Sequence, residues 1–195
     1  MTPPIPSERP THGYHSSPSL KPYQTPVNTY ISQRPSDQLV GILCASIIIH
    51  RGRVLLIQRV PDDDYPNLWE APGGVADDGE TIVDCAVREL REETGLRASA
   101  VTGLVGELEW DDSLPGPIVH SKRGLWKVFI FRVVVEGEGR EELEVTIDPK
   151  EHQGYLWVTE EEARRDMCGD MKLDWVSLDL KKIVLEALEC CRDGA

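Results

Sequence analysis

Between Gly73 and Leu96 the chain reads GGVADDGETIVDCAVRELREETGL, the stretch of this sequence richest in potential chemistry. Glu80 to Thr94 has helical spacing and is followed by Gly95, a residue suited to the left-handed position that ends a helix. On a wheel of ~100° per residue, Val83, Ala86, Val87, Leu90 and Thr94 gather on one side as a core stripe. Glu89, Glu92 and Glu93 gather roughly opposite, related by i, i+3 and i+4, with Arg88 and Arg91 on the flank. Carboxylates so placed repel and weaken a helix by about 0.2–0.5 kcal/mol per pair. A bare E-x-x-E-E is ordinarily a solvated acidic face. The chemical reading is a hard divalent-cation site, because Mg²⁺ takes carboxylate, water and phosphate oxygens. Gly73 and Gly74, just before the helix, would let a backbone carbonyl join that shell or let the backbone approach a phosphate.

The complete pattern decides between the two. Gly74, five residues, Glu80, seven residues, Arg88-Glu89-Leu90, then Glu92-Glu93 and Gly95-Leu96 resembles the Nudix box, and all nine specified positions match. With residue frequencies of a few per cent each, a chance match at a given start is on the order of 10⁻¹⁰. The chain is thus similar to the Nudix hydrolases, also called MutT-like. Upstream, Val54 to Arg59 and the run Trp69-Glu70-Ala71-Pro72-Gly73-Gly74 look like the strand and the W-E-x-P-G-G approach that commonly precede the box. Downstream, Lys150-Glu151-His152 followed by Trp157 resembles the family's stretch with a further metal-binding Glu.

The resemblance implies an α+β fold, a Nudix-type α/β/α sandwich with a mixed β-sheet. It implies hydrolysis of a nucleoside diphosphate linked to another group, with Mg²⁺ or Mn²⁺ as cofactor. An acidic site needs such an ion to meet a polyanionic pyrophosphate. Metal ligation falls to Glu89, Glu92 and Glu93, with the Gly73 carbonyl and Glu151 as further ligands. Arg88, Glu89 and Glu92 are the candidate catalytic residues; Arg88 pairs with the box carboxylates, and Glu92 is preferred over Glu89 and Glu151 as general base. Glu80 supports the loop-helix geometry. Arg59, Trp69 and Gly74 are candidate substrate contacts. As aromatics, Trp69, Trp126 and Trp157 read as core ahead of base-stacking platforms, although Trp69 sits close to the expected site; Trp110, beside a polar loop, reads as a packed ring first, with a nucleobase contact as the alternative. Cys85 is placed toward the acidic side, open to thiol reagents, while His120 and His152 read as surface or supporting residues.

The partner expected is a small-molecule diphosphate, with a (d)NTP or modified nucleotide favoured by the W-E-x-P-G-G approach. The proline that marks the ADP-ribose subgroup is absent, Asp111 and Asp112 standing near its place. Signatures of the dinucleoside-polyphosphate, NADH and coenzyme-A subgroups are missing too. An ADP-ribose or other nucleotide-sugar pyrophosphatase, and a hydrolase of non-nucleotide (isoprenoid) diphosphates, are the enzyme alternatives. A non-enzymatic Nudix binding module is disfavoured because every box carboxylate is present. Many family members are homodimers, but no surface stripe in this sequence requires one.

The remainder of the chain must position these groups. Its 195 residues carry 21 Lys+Arg against 34 Asp+Glu, a net charge of -13, which argues against a nucleic-acid polymer as ligand. No apolar run reaches the ~18–20 residues of a membrane span. The first thirty residues hold no block resembling a signal peptide. The five cysteines show no C-x-x-C spacing, so reduced thiols and a cytoplasmic setting are expected.

Residues 1–36 hold eight of the fourteen prolines and only four charges, and are expected to be a flexible tail ahead of a domain at 37–195. Strands are expected at Leu39–His50, Arg53–Arg59, Val101–Trp110, Leu125–Glu136 and Tyr155–Val158, with an extended stretch at Leu143–Ile147. Thr159 and Glu162 form a capping box for one helix. The spacing of Val176, Leu180, Ile183, Val184, Ala187 and Leu188 predicts another at the C-terminus.

Overall fold

A computed structural model describes residues 13–111 and 124–192 of the chain. Residues 1–12 and the expected loop with Pro115, Pro117 and His120 lie outside the described residues.

Two sheets form the middle layer. The larger has the order β1 (His15–Ser16), β7 (Ala98–Asp111), β8 (Leu125–Val135), β2 (Leu39–Ile47), β6 (Gly73–Val75). In it β1 runs parallel to β7 and β8 parallel to β2, while the β7–β8 and β2–β6 pairs are antiparallel, so the sheet is mixed. The smaller sheet is built on β4 (Arg53–Arg59), which pairs with β3 (Ile49–His50), β5 (Trp69–Glu70) and β9 (His152–Thr159). A short β10–β11 hairpin (Met167–Cys168, Met171–Lys172) stands apart.

Helices cover both faces. α2 (Ile82–Thr94) buries Ile82, Val83, Ala86 and Leu90 against Ile42, Phe129 and Phe131 of the large sheet. On the opposite side α4 (Leu178–Arg192) sets Leu180, Ile183, Val184 and Leu188 against Ile47, Val54, Leu56 and Ile130. Each such side chain contributes about 1.5–3 kcal/mol relative to exposure, so the sheet is clamped by two separate apolar layers. α3 (Glu160–Arg165) starts at the expected capping box, with Thr159 and Glu162 bonding each other's backbone N–H. The result is the expected α/β/α sandwich.

One expectation needs correction. Residues 13–36 are docked: Tyr14, Leu20, Val27 and Tyr30 are buried in the α2-side core, through β1, a 3₁₀ turn at Pro18–Tyr23 and α1 (Val27–Ser32). The few apolar side chains here are spaced to face the domain, which a count of prolines and charges misses. The stretch Leu143–Ile147 joins no ladder, and the Thr146 N–H ties it to the box helix at the Thr94 carbonyl, 2.8 Å away. Among the described residues no helix is long and apolar enough to cross a membrane.

Candidate active site

The site forms where β6, α2 and the turn entering β9 meet. Thr81 caps α2, its side chain accepting the Asp84 N–H, and Gly95 ends it at φ 69°. Between these ends the helix presents Arg88, Glu89, Glu92 and Glu93 toward the Gly73–Gly74 strand.

Arg88 organises the outer part. Its Nε and Nη2 donate to the two Glu80 carboxylate oxygens at 2.9 and 3.0 Å, a bidentate pair. Its Nη1 donates to Glu89 at 2.8 Å and to Glu92 at 3.0 Å, and Nη2 also reaches the Val75 carbonyl at 3.0 Å. One guanidinium therefore ties three box carboxylates to the turn before the helix. Gly74 lies directly beneath Glu89: a Cβ there would stand 2.5 Å from Glu89 Oε1.

Glu93 lies at the inner end. Only 4% exposed, it accepts the Gly73 N–H at 2.7 Å. Ligand atoms of Glu93, Glu151 and His152 all fall within 4.8 Å of one another. Burial raises the Glu93 pKa well above the usual carboxylate range, with Glu70 next in effect. Burial also raises that of Glu89, which the neighbouring Arg88 partly offsets. Glu89 has Arg88 for a partner, while Glu93 is a buried carboxylate with no Lys or Arg paired to it among the described residues. Oxygen donors in this number, with too little positive charge among them, fit Mg²⁺ or Mn²⁺. Glu92 is 58% exposed and stands outside the Glu93–Glu151–His152 group.

Two expected substrate contacts are placed elsewhere. Trp69 is 2% exposed, packed in the α4-side core and held by main-chain bonds to Asp174 and Val176, so no ring face is free for a base. The Arg59 guanidinium is committed to Glu70 and Asp63, each at 2.7 Å. Cys85 is fully buried, its Sγ directed at the Gly74 carbonyl, and the Cys44 contact, then burial, raises its pKa steeply. A thiol so placed offers nothing to a reagent.

Glu70 belongs to the site and was not singled out from the sequence; His152, read there as a surface or supporting residue, is buried beside it. His152, 1% exposed, holds Nε2 3.1 Å from Glu70 and 3.7 Å from Glu93, and Arg59 grips Glu70 from behind. Both sit inside runs that resemble the family, but their contact depends on the β4–β5 and β4–β9 pairings. Beside Gly73 a largely apolar pocket of about 110 Å³ opens between the large sheet and the start of α4, lined among others by Ala45, Leu108, Trp110, Val128 and Leu180. Tyr65 meets the Trp110 ring edge-on at 5.3 Å.

Comparison with known proteins agrees with this architecture. The model of the NUDIX domain matches residues 40–176. The CTP pyrophosphohydrolase of Escherichia coli (strain K12) is 34% identical over 121 residues, 61% of this chain and 76% of that protein. An m7GpppN-mRNA hydrolase of Xenopus laevis is 28% identical over 143 residues, 72% of this chain but 47% of its own length, so the chain spans about half of that relative. Among solved structures, the E. coli ORF135 protein superposes with a TM-score of 0.58 at 25% identity, covering 82% of this chain and 95% of that one. Most of the chain, from β2 to the residues just before α4, matches one domain model and carries its box intact: this chain belongs to the Nudix family.

Proposed function

We propose that the chain hydrolyses a pyrophosphate bond in a nucleoside diphosphate-linked substrate, with Mg²⁺ or Mn²⁺ held by Glu89, Glu92, Glu93 and Glu151 and the Gly73 carbonyl. The reading is carried by Glu93, a buried carboxylate brought up against Glu151 and His152 with its ionisation disfavoured. Burying such a group without a cation is costly. Bound there, the ion supplies charge neutralisation for the diphosphate and acidifies a water.

The chain's own groups do the remaining work. The Gly73 N–H fixes the Glu93 carboxylate, and Arg88 fixes Glu89 and Glu92. Glu92, the more exposed of the three, takes the proton of the attacking water. Gly74 keeps the backbone bare of a side chain where a phosphate approaches. The apolar pocket beside Gly73 takes the base against Trp110, and base–aromatic contact is worth about 1–3 kcal/mol. The relative named as a CTP pyrophosphohydrolase supports a (d)NTP or modified nucleotide as the substrate class.

The experiment is a phosphate-release panel with Mg²⁺ and Mn²⁺, with and without EDTA. It spans CTP and dCTP, the other dNTPs, oxidised dGTP, ADP-ribose, a dinucleoside polyphosphate and an isoprenoid diphosphate. Metal-dependent cleavage of a nucleoside triphosphate, lost in Glu93→Gln, is expected. Turnover that survives EDTA, or that Glu93→Gln leaves unchanged, would sink the metal assignment.

A further inference from the structure

Residues 13–36 precede the matched domain, which begins at residue 40. They nevertheless hold the turn on which Arg88 depends. The Val27 N–H donates to the Glu80 carbonyl at 2.8 Å, and Pro26 faces Thr81 across an antiparallel bridge. The Tyr14 hydroxyl donates to Asp84 Oδ1 at 2.7 Å, while Asp84 Oδ2 accepts from the hydroxyl of the cap residue Thr81 at 2.6 Å. Glu80 is itself the first of these attachment points, and its carboxylate takes the Arg88 fork.

Within the turn itself the bonds are local. The Glu80 N–H bonds to the Asp77 carbonyl, the Asp77 N–H bonds back to the Glu80 carboxylate, and Gly79 sits at φ +86°. Asp77, Asp78 and Gly79 are exposed. The segment is anchored more firmly. Leu20 and Val27 are buried, the Tyr23 and Tyr30 rings pack on Phe129 at 5.3 and 5.5 Å, and β1 pairs with β7. An ordered element thus grips an exposed turn at two points, and that turn orients the guanidinium that orients Glu89 and Glu92.

We propose that residues 13–36 act as a positioning clamp for the active site: Tyr14 and the Val27 N–H hold the turn at Glu80, and through Glu80 they hold Arg88 on Glu89 and Glu92. The proposal rests on the hydrolase reading above. Tyr14 and Val27 are positioning residues; neither is assigned contact with the substrate.

Two substitutions remove one attachment each from the full-length protein. Tyr14→Phe deletes the hydroxyl and keeps the buried ring. Val27→Pro deletes the N–H at the first position of α1, where proline suits a helix. The preceding Pro26, at φ -55° and ψ 140°, already has the conformation a following proline demands. Leu188→Ala, in the core on the far face of the sheet, is the control for lost stability alone. Rates and Mn²⁺ affinity, the latter by paramagnetic resonance without substrate, are measured below every unfolding transition.

Loss of an outer positioning partner ordinarily costs about 10–100-fold in metal affinity or activity. For one of two attachments a fall of about threefold to tenfold in kcat is expected. Mn²⁺ binding should weaken in parallel, with KM little changed and Leu188→Ala unaffected in both. Wild-type kcat and Mn²⁺ affinity in both Tyr14→Phe and Val27→Pro would overturn the clamp, as would an equal fall in Leu188→Ala. A wild-type chain that binds Mn²⁺ but cleaves no diphosphate would instead count against the hydrolase reading, and the Mn²⁺ affinities would still judge the clamp.

Discussion

Gly73 and Gly74 are neighbours in one short strand, and adding a methyl group to each should damage the protein in different ways. At Gly74 the new Cβ would stand 2.5 Å from Glu89 Oε1, 2.6 Å from Cδ and 2.9 Å from Oε2. Ordinary contact begins near 3.5 Å, so the carboxylate must retreat by about 1 Å. That group is the far end of a flexible chain and can move. Gly74 has no positive φ, and alanine restricts the unfolded chain, which by itself stabilises by about 0.4–1 kcal/mol. Gly74→Ala should therefore melt close to wild type while a displaced ligand costs about 100-fold in kcat.

At Gly73 the Cβ would collide with the Cys44 carbonyl oxygen and stand 2.7 Å from the Ala45 Cα, both backbone of β2. Backbone cannot step aside, so overpacking of about 1–3 kcal/mol is expected. For a chain of this size that is a fall of about 2–12 °C in Tm. Calorimetry and initial rates on the two variants separate the effects. Gly74→Ala turning over within about twofold of wild type, or losing as much Tm as Gly73→Ala, would refute the placement of Glu89 against Gly74.

Other outcomes follow from the same geometry. Trp110→Ala should raise KM by about tenfold, since one stacked base is worth about 1–3 kcal/mol, with kcat little changed; an unchanged KM in steady-state assays would remove the base from this pocket. Arg59→Gln should release Glu70 and Asp63 and destabilise by about 1–3 kcal/mol in urea titration, because two partly buried carboxylates lose their cation. In EDTA, stability should rise as pH falls toward the ordinary carboxylate range. Glu89 and Glu93 have pKa values raised by burial, so the folded chain binds protons the unfolded chain does not, until the ordinary carboxylate range is reached. Below that range the trend should reverse as Asp63, Glu162 and Asp166, held low by their hydrogen bonds, are protonated. Saturating Mg²⁺ should abolish the rise, and urea melts showing only a steady loss on acidification would contradict it.

The box helix was legible because everything it needs is local. Its apolar stripe, its cap and its acidic stripe all follow from residues within a few turns, and only its start moved, from Glu80 to Ile82. The sandwich was legible for a similar reason, since strand and helix periods are each local and follow one another in mixed order along the chain. Glu70, and its contact with His152, were not. Each acquires its role from strand pairings that bring distant residues side by side, and a carboxylate in W-E-x-P-G-G says nothing of the imidazole it will meet. Trp69 shows the converse. Its sequence position beside Gly73 suggested the site, while the alternation along β5 turned the ring into the core. The N-terminal segment was misread because composition averages over residues, whereas docking depends on four buried ones.

Glu93 is held at both ends, its carboxylate by the Gly73 N–H and its own carbonyl by the Asp148 N–H at 3.2 Å. Asp148 in turn accepts the Glu151 and His152 N–H groups at its carbonyl. The inner carboxylate and the turn that brings Glu151 and His152 therefore move as one body, whatever the intervening chain does. Length can vary at the exposed turn at residues 138–140, where an inserted peptide tag would sit ahead of the Glu141 carbonyl met by His50 and Arg51, the buried Leu143 and the Thr146 anchor. One residue added between Asp148 and Glu151 would instead shift the far partner of Glu93 by a whole backbone step, leaving a folded protein whose inner site no longer closes.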